Sequence, residues 1–317
     1  MDLKKKRNVF ITGASGFVGA NITRTLLKKN FSVHTLNRTK DIPWRLQEVA
    51  NDISFHKGDL TDIKSLRLAL SAAKPDYIIH LATYGAYHFQ TEMEKIVQVN
   101  IEGTKNLLEA SKDIPYKAFI NTGSSSEYGY KNKPMKETDS CDPTSYYAAT
   151  KLGVTHLCKV FANLNKKPVV TFRLFSVYGP FEAPTRLIPA IMKGVLLQNP
   201  IELSPGKQRR DFIYVEDVAN AYLQAMKLGD KLQGEVCNIG TGKEYTNEEM
   251  VKTLFNVANK KTGINKGSYQ GRSWDALHWR ADMAHTEKVL EWKPIYTIDK
   301  GLKTTYSWFE KHINLYQ

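Results

Sequence analysis

The stretch Gly13-Ala14-Ser15-Gly16-Phe17-Val18-Gly19 constrains the fold of this 317-residue chain more than any other. It follows the apolar run Val9-Phe10-Ile11 almost at once, and a helical period of Phe17, Val18, Ile22 and Leu26 begins inside it. Strand, tight turn and helix in immediate succession open a βαβ unit. In that setting the first glycine permits the turn, the second lets backbone approach an anionic group, and the third lets the helix pack on the strand. The positive end of the helix then points at the loop, which suits a pyrophosphate. The spacing is Gly-x-x-Gly-x-x-Gly rather than the Gly-x-Gly-x-x-Gly of the dinucleotide fingerprint, so the loop alone also fits a plain glycine-rich connection.

The next segments extend the pattern. Phe31 to Leu36 reads as a second strand, and Asn37-Arg38 stands where an acidic residue would receive an adenosine ribose. No carboxylate is there. Arg38 beside Asn37 suits a 2′-phosphate, which favours NADP(H) and leaves NAD(H) open; the alternative is a solvated loop cation followed by Lys40. Gly58-Asp59-Leu60 follows a strand at Ile53 to Phe55 and offers a carboxylate to the adenine. Leu81-Ala82-Thr83 ends a fourth strand with small residues that would let a cofactor lie close.

Tyr147 and Lys151 are one helical turn apart on a helix that begins near Thr144 after Pro143, so both project from one face. A phenol with a pKa of about 10 is a poor base at neutral pH. An ammonium ~5 Å away at an effective dielectric near 20 favours the phenolate by roughly 3 kcal/mol, or about two pKa units. Ser124, at the end of a strand from Ala118 to Thr122, supplies a hydroxyl that can bind a reacting oxygen and share its proton. Asn100 lies in the apolar stripe of a helix over about residues 91–111, where a buried amide must find partners; they are either active-site groups or purely structural ones. Tyr84, Tyr87 and His88 follow the fourth strand and are candidates for a pocket wall, although a lone histidine such as His88 is more often structural.

Taken together, these residues resemble the extended short-chain dehydrogenases/reductases, in the NAD(P)-dependent sugar-nucleotide epimerase/dehydratase family. The resemblance covers nearly the whole chain. It is carried by Thr12 to Gly19, Asp59-Leu60, Val99 to Thr104, Ser124 to Gly129, Tyr147 with Lys151, Arg173 to Pro180, Arg210 to Asp217, and Arg272 with Asp275. It implies an α/β fold: a Rossmann-type doubly wound parallel sheet over residues 1–177, and a smaller C-terminal α/β substrate-binding lobe over 178–317, with segments near 212–240 returning to the core. It implies catalytic roles for Ser124, Tyr147 and Lys151, with Tyr147 and Lys151 also touching the cofactor beside Gly13, Ser15, Gly16, Phe17, Val18, Asn37, Arg38, Asp59, Leu60, Leu81, Ala82, Thr83 and Asn100. Substrate contacts fall on Tyr84, His88, Ser125, Ser126, Ser176, Arg210 and Arg272, the two arginines on a nucleotide-sugar diphosphate. A homodimer through a four-helix interface containing the Tyr147 helix is also implied.

Departures from the family pattern bear on the reaction. Where its dehydratases carry acids after the hydroxyl residue, this chain has Ser125 and Ser126, and a hydroxyl cannot replace a carboxylic acid, so 4,6-dehydration is disfavoured. Glu127 is acidic but displaced by one place, which in an extended segment turns it to the opposite face. Gly123 to Gly129 is most similar to the segment of nucleotide-sugar 4-ketoreductases such as GDP-4-keto-6-deoxymannose reductase. With no acid at Asn37, this makes reduction of an NDP-4-keto-6-deoxyhexose by NADPH the expected reaction, and NAD-dependent 4-epimerisation the alternative. Ser176 stands where many members carry an asparagine that meets the diphosphate.

Composition sets the outer limits. At 42% hydrophobic residues the chain can bury a large core, and no apolar run approaches 18 residues, so neither membrane insertion nor a signal peptide is expected. Cys141, Cys158 and Cys237 lie far apart without metal-ligand spacing, which points to a cytoplasmic protein without metal or disulfides. The net charge of +13 would steer anionic nucleotide sugars. It also leaves a second class of reading, a catalytically silent nucleic-acid-binding or cofactor-sensing protein; the intact Ser124, Tyr147 and Lys151 argue against it. Lys4-Lys5-Lys6-Arg7 reads as a solvated tail.

Overall fold

The computed structural model describes residues 6–203, 208–267 and 277–316. Six strands and five helices build the first half: β1 (Asn8–Thr12), α1 (Phe17–Lys28), β2 (Ser32–Asn37), β3 (Ile53–Lys57), α2 (Ile63–Ala73), β4 (Tyr77–His80), α3 (Met93–Val97), α4 (Gly103–Ser111), β5 (Ala118–Ser124), α5 (Tyr146–Asn165) and β6 (Val169–Leu174). The chain continues through β7 (Ser176–Tyr178), α6 (Leu187–Leu197), β8 (Ile201–Leu203), β9 (Arg209–Arg210), β10 (Phe212–Tyr214), α7 (Val215–Leu228) and β11 (Val236–Ile239). It ends with β12 (Tyr245–Thr246), α8 (Asn247–Ala258), β13 (Ile264–Lys266), α9 (Ala284–Leu290) and α10 (Ile298–His312).

Seven parallel strands form the main sheet in the order β3-β2-β1-β4-β5-β6-β11. This is a Rossmann-type doubly wound sheet extended by one strand, and its order reverses between β1 and β4. Helices cover both faces, so the strands read as continuous apolar runs: Val9, Phe10 and Ile11 are fully buried. Two glycines explain how β1 passes into α1. Gly13 has φ +77°, and a Cβ there would lie 2.5 Å from the Ala82 backbone nitrogen; a Cβ on Gly19 would collide with the Gly13 carbonyl.

Val236–Ile239 returns to this sheet beside β6, with Cys237 opposite Phe172. Phe212–Tyr214 does not. It pairs in parallel with Ser176–Tyr178 in a separate two-stranded sheet, because β11 already occupies the free edge of β6. That small sheet rests on a second apolar core in which Tyr178, Ile188, Met192, Val251, Leu254 and Phe309 meet from α6, α8 and α10. Each such side chain, fully buried, is worth roughly 1.5–3 kcal/mol, so this core fixes the position of the β7–α6 connection over the end of the main sheet. Among the described residues no helix is long and apolar enough to cross a membrane, and no cluster could hold a metal ion.

Candidate active site

The carboxyl ends of the strands border a cavity of about 810 Å³ that runs from Asn37, Arg38 and Asp59 past the glycine loop to Ser124, Tyr147, Ser176 and Arg210. It sits at the point where strand order reverses, where open α/β sheets bind ligands. Gly13, Ser15, Gly16, Phe17, Val18, Leu60, Leu81, Ala82 and Thr83 all line it. The first turn of α1 contains no acidic residue, and Gly16 at its N-cap provides no side-chain cap, so the leading amides face the cavity without a side-chain acceptor. This cradle fits the pyrophosphate of a nicotinamide dinucleotide. At the far end Asp59 is held by two bonds to one oxygen, from the Thr61 amide and hydroxyl, each 2.8 Å. The Asn37 amide oxygen accepts from the Thr35 hydroxyl at 3.3 Å, and Arg38 is exposed at the rim.

The catalytic candidates Ser124, Tyr147 and Lys151 share this cavity. Strand β5 ends at Ser124, which caps a short 3₁₀ turn over Ser125–Tyr128. The chain is therefore not extended at Glu127, whose carboxylate swings back in a capping box instead of pointing to an opposite strand face. One Glu127 oxygen accepts from the Ser124 amide at 2.8 Å; the other accepts from the Thr155 hydroxyl at 2.9 Å and Arg173 Nε at 2.8 Å. Glu127 and Arg173 are both buried. This single carboxylate ties together the ends of β5, the middle of α5 and β6.

Tyr147 differs from the sequence expectation. Burial pushes its phenol up to about 12, against the pull of the Ser124 hydroxyl. Lys151 does not counter this, because its ammonium donates to the Thr122 carbonyl at 2.6 Å, and burial pulls it down to about 8 despite the Glu127 charge. Both groups are thereby biased to their neutral forms, Tyr147 as a proton donor and Lys151 closer to neutrality than a surface lysine.

Asn100 is buried behind the cavity wall, in a π-helical segment over Gln98–Glu102. Its amide oxygen accepts from the Thr83 hydroxyl and Tyr84 amide, and its nitrogen donates to the Tyr84 carbonyl and Thr150 hydroxyl. It braces the β4 loop against α5 without lining the cavity. Tyr84, Tyr87 and Gln90 do line it, whereas His88 is exposed and meets Phe89 edge-on. Ser125 is turned away: its hydroxyl accepts from Trp279 Nε1 at 2.9 Å. Ser126 shares a 2.7 Å hydrogen bond with Ser124, also off the cavity lining. Ser176 and Arg210 line the cavity, with the Ser176 amide bonded to the Asp211 carbonyl. Arg209, the neighbour most easily confused with Arg210, is engaged with Glu244 and Glu249, while the Arg210 guanidinium lies 5.5 Å over the Trp279 ring. Arg272 and Asp275 lie outside the described residues.

Two charged cavity residues escaped the sequence reading. Glu182 and Arg186 sit on the β7–α6 connection, Arg186 as the N-cap of α6. Both belong to an irregular segment with no periodicity, and only the density of prolines around it marked it as worth attention.

Known proteins fit this site and fold. The NAD dependent epimerase/dehydratase family model matches residues 9–240. The chain is 31% identical to UDP-glucuronate 4-epimerase of Thermodesulfobacterium geofontis, covering 96% of this chain and 97% of that protein. It is 28% identical to dTDP-glucose 4,6-dehydratase of Neisseria meningitidis, covering 96% and 93%. Among solved structures it is similar to UDP-glucuronic acid 4-epimerase from Bacillus cereus in complex with UDP-glucuronic acid and NAD, with a TM-score of 0.84, 27% identity, and 96% and 99% of the two chains covered. With its glycine-loop cradle, its Ser124, Tyr147 and Lys151 cluster and this match across most of its length, the chain belongs to the NAD dependent epimerase/dehydratase family.

Proposed function

We propose that this protein is an NAD-dependent 4-epimerase of a nucleoside-diphosphate sugar. The observation that carries the reading is the near full-length likeness to a UDP-glucuronate 4-epimerase, joined to a site with Ser124, Tyr147 and Lys151 and without acids at 125 and 126. The ketoreductase expected from Gly123 to Gly129 loses ground to the alternative, since the relatives described above are epimerases and a dehydratase. NAD likewise replaces NADP(H) as the preferred cofactor, supported by the solved relative that holds NAD. Its nicotinamide would supply reversible hydride storage beside Tyr147 and Lys151.

The residues of this chain divide the remaining work. Tyr147 exchanges a proton with the sugar oxygen at C4, Ser124 hydrogen-bonds the same oxygen, and Lys151, once released from the Thr122 carbonyl, tunes the phenol and holds the nicotinamide ribose. Ser176 lies on β7 and Arg210 on β9, where the guanidinium suits the substrate diphosphate. Epimerisation is redox-neutral overall, so Tyr147 must act first as base and then as acid. The protein acts as a homodimer, formed by the exposed face of α5 that carries Tyr146, Val160 and Leu164, together with Met93 and Val97 of α3. Its three free cysteines suit the cytoplasm.

The test uses purified protein with UDP-glucose, UDP-galactose and UDP-glucuronate, each deuterated at C4. The expected outcome is inversion at C4 with the label retained and no net change in dinucleotide redox state. Stoichiometric consumption of NADPH with a 4-keto sugar, and no inversion, would restore the reductase. Dinucleotide released from the protein on denaturation and identified by mass should be NAD; recovery of NADP would assign Arg38 to a 2′-phosphate.

A further inference from the structure

Glu182 is the one carboxyl among the described cavity residues, Asp59 apart. Asp59 is held by Thr61, but Glu182 Oε2 is out of contact with solvent and has no hydrogen-bond partner. The backbone on either side is pinned. Asn21 donates to the Pro180 carbonyl at 2.9 Å, Arg45 to the Phe181 carbonyl at 2.7 Å, and the Tyr316 hydroxyl to the Glu182 carbonyl at 2.8 Å. The Phe181 ring is further clasped by Arg24 at 4.0 Å and Trp308 at 4.6 Å. Among the described residues Glu182 Oε2 is one of seven buried side-chain atoms without a partner, and the one carried by a residue of this cavity, where a ligand could complete it.

The connection that carries it locates the carboxyl along the cavity. Arg186, four residues on at the N-cap of α6, lines the cavity and meets Ala86 and Tyr87, which sets this connection against the loop after β4. Tyr316 and, behind it, Arg45 are the other titratable groups near Glu182. Burial dominates them all and lifts Glu182 to about 8, so near neutral pH it is largely a protonated acid able both to donate and to accept. Arg186 is itself engaged, with Nη2 donating to the Ala86 carbonyl at 3.1 Å and the guanidinium 5.2 Å over the Tyr87 ring.

We propose that Glu182 is a specificity-determining contact for the sugar, hydrogen-bonding a neutral, hydroxyl-bearing hexose and disfavouring a hexuronate. This rests on the sugar-nucleotide reading above and narrows its substrate class. A sugar hydroxyl satisfies Glu182 in either protonation state, because it both donates and accepts. A carboxylate on the sugar can be met only by protonated Glu182, and it meets like charge whenever Glu182 ionises.

Calorimetric titration of the full-length protein, as purified with its cofactor, with UDP, UDP-glucose and UDP-glucuronate tests this without requiring turnover. Wild type is expected to bind UDP-glucose at least tenfold more tightly than UDP, and more tightly than UDP-glucuronate. Glu182→Leu should abolish the gain from glucose while UDP affinity stays within about twofold. Glu182→Gln, which keeps a donor and an acceptor, should retain that gain and shift the glucuronate-to-glucose affinity ratio at least threefold toward glucuronate. A UDP-glucose-to-UDP ratio unchanged in Glu182→Leu would overturn the proposal, as would wild-type preference for glucuronate. Thermal melting checks that each variant folds; if the leucine variant does not, an unchanged sugar ratio in Glu182→Gln overturns the proposal instead. Binding that follows this pattern without any inversion at C4 would sink the epimerase reading and leave the Glu182 contact standing.

Discussion

Replacing Glu127 by alanine should be the most damaging single change near the site that touches no ligand. Glu127 is fully buried and accepts three hydrogen bonds, from the Ser124 amide, the Thr155 hydroxyl and Arg173 Nε. Its removal strands Arg173, which is also buried and already has one guanidinium nitrogen without a partner. Breaking a buried ion pair from one side costs about 3–5 kcal/mol, because the surviving charge is left uncompensated. Against a total stability of about 5–15 kcal/mol, that is a third or more of what holds a domain of ordinary stability folded. Urea denaturation of Glu127→Ala, Arg173→Met and the double variant closes a cycle, and the coupling between the two sites should exceed about 1.5 kcal/mol. Turnover should fall with Glu127→Ala as well, since Ser124 loses its backbone anchor and α5 loses the Thr155 tie one turn beyond Lys151. A cost below ~1 kcal/mol together with coupling below ~0.5 kcal/mol would refute the view that this carboxylate organises the site.

Other perturbations separate chemistry from support. Tyr147→Phe keeps the ring and removes the proton donor, so turnover should drop about a hundredfold or more with cofactor binding nearly unchanged; activity within threefold of wild type would exclude Tyr147 as the acid-base group. Arg210→Ala should raise the Michaelis constant for the sugar nucleotide at least tenfold, about 1.4 kcal/mol, while the dissociation constant for NAD stays within about twofold, and equal weakening of both would assign the arginine to the fold. Lys151→Met should abolish turnover and change how stability depends on pH. Lys151 titrates near 8 in the folded protein rather than 10.5, so the unfolded chain binds more protons between those values and wild-type stability gains as pH rises through them. The methionine variant should lack that gain, on the order of 3 kcal/mol, and denaturation at pH 7 and pH 10 with matching slopes in both proteins would contradict it.

Local pattern carried the amino-terminal half of the fold into the sequence. Gly13 and Gly19 were legible because steric demand leaves only glycine, and the strand and helix periods around them follow from burial on one face or two. The helical spacing of Tyr147 and Lys151 was legible for the same reason. Partners brought in by tertiary structure were not. Ser125 looked like a substrate contact until the capped turn after Ser124 rotated its hydroxyl toward Trp279, a residue 154 positions away. Arg209 and Arg210 are adjacent and chemically alike, and what separates them is that Glu244 and Glu249 converge on the first. The pKa direction of Tyr147 was misjudged because a through-space attraction to Lys151 was counted while burial and the competing Thr122 carbonyl were out of view. Segments near 212–240 were expected back in the core, yet sheet membership depends on which edge is free, and β11 had taken it, so Phe212–Tyr214 pairs with β7 instead.

The site's acids explain why epimerisation needs less of this chain than elimination would. Removing a hydroxyl from the sugar requires a carboxylic acid held close to the leaving group, and positions 125 and 126 supply only hydroxyls, one of them already bonded to Trp279. Glu127 cannot substitute, because all three of its hydrogen bonds are spent on Ser124, Thr155 and Arg173. Glu182 has a proton to give, but it lies on the β7–α6 connection rather than on the strand end that carries Ser124. Inversion at C4 asks only for a group that removes a proton and returns it to the same oxygen. Tyr147, protonated by burial with the Ser124 hydroxyl acting on it, is set for the return step, and the removal step requires positive charge beside it to bring the phenol down from about 12. Under the proposed epimerisation Lys151 would supply part of that charge once its ammonium is drawn from the Thr122 carbonyl, so that the 2.6 Å bond between them would bear on rate as well as on structure.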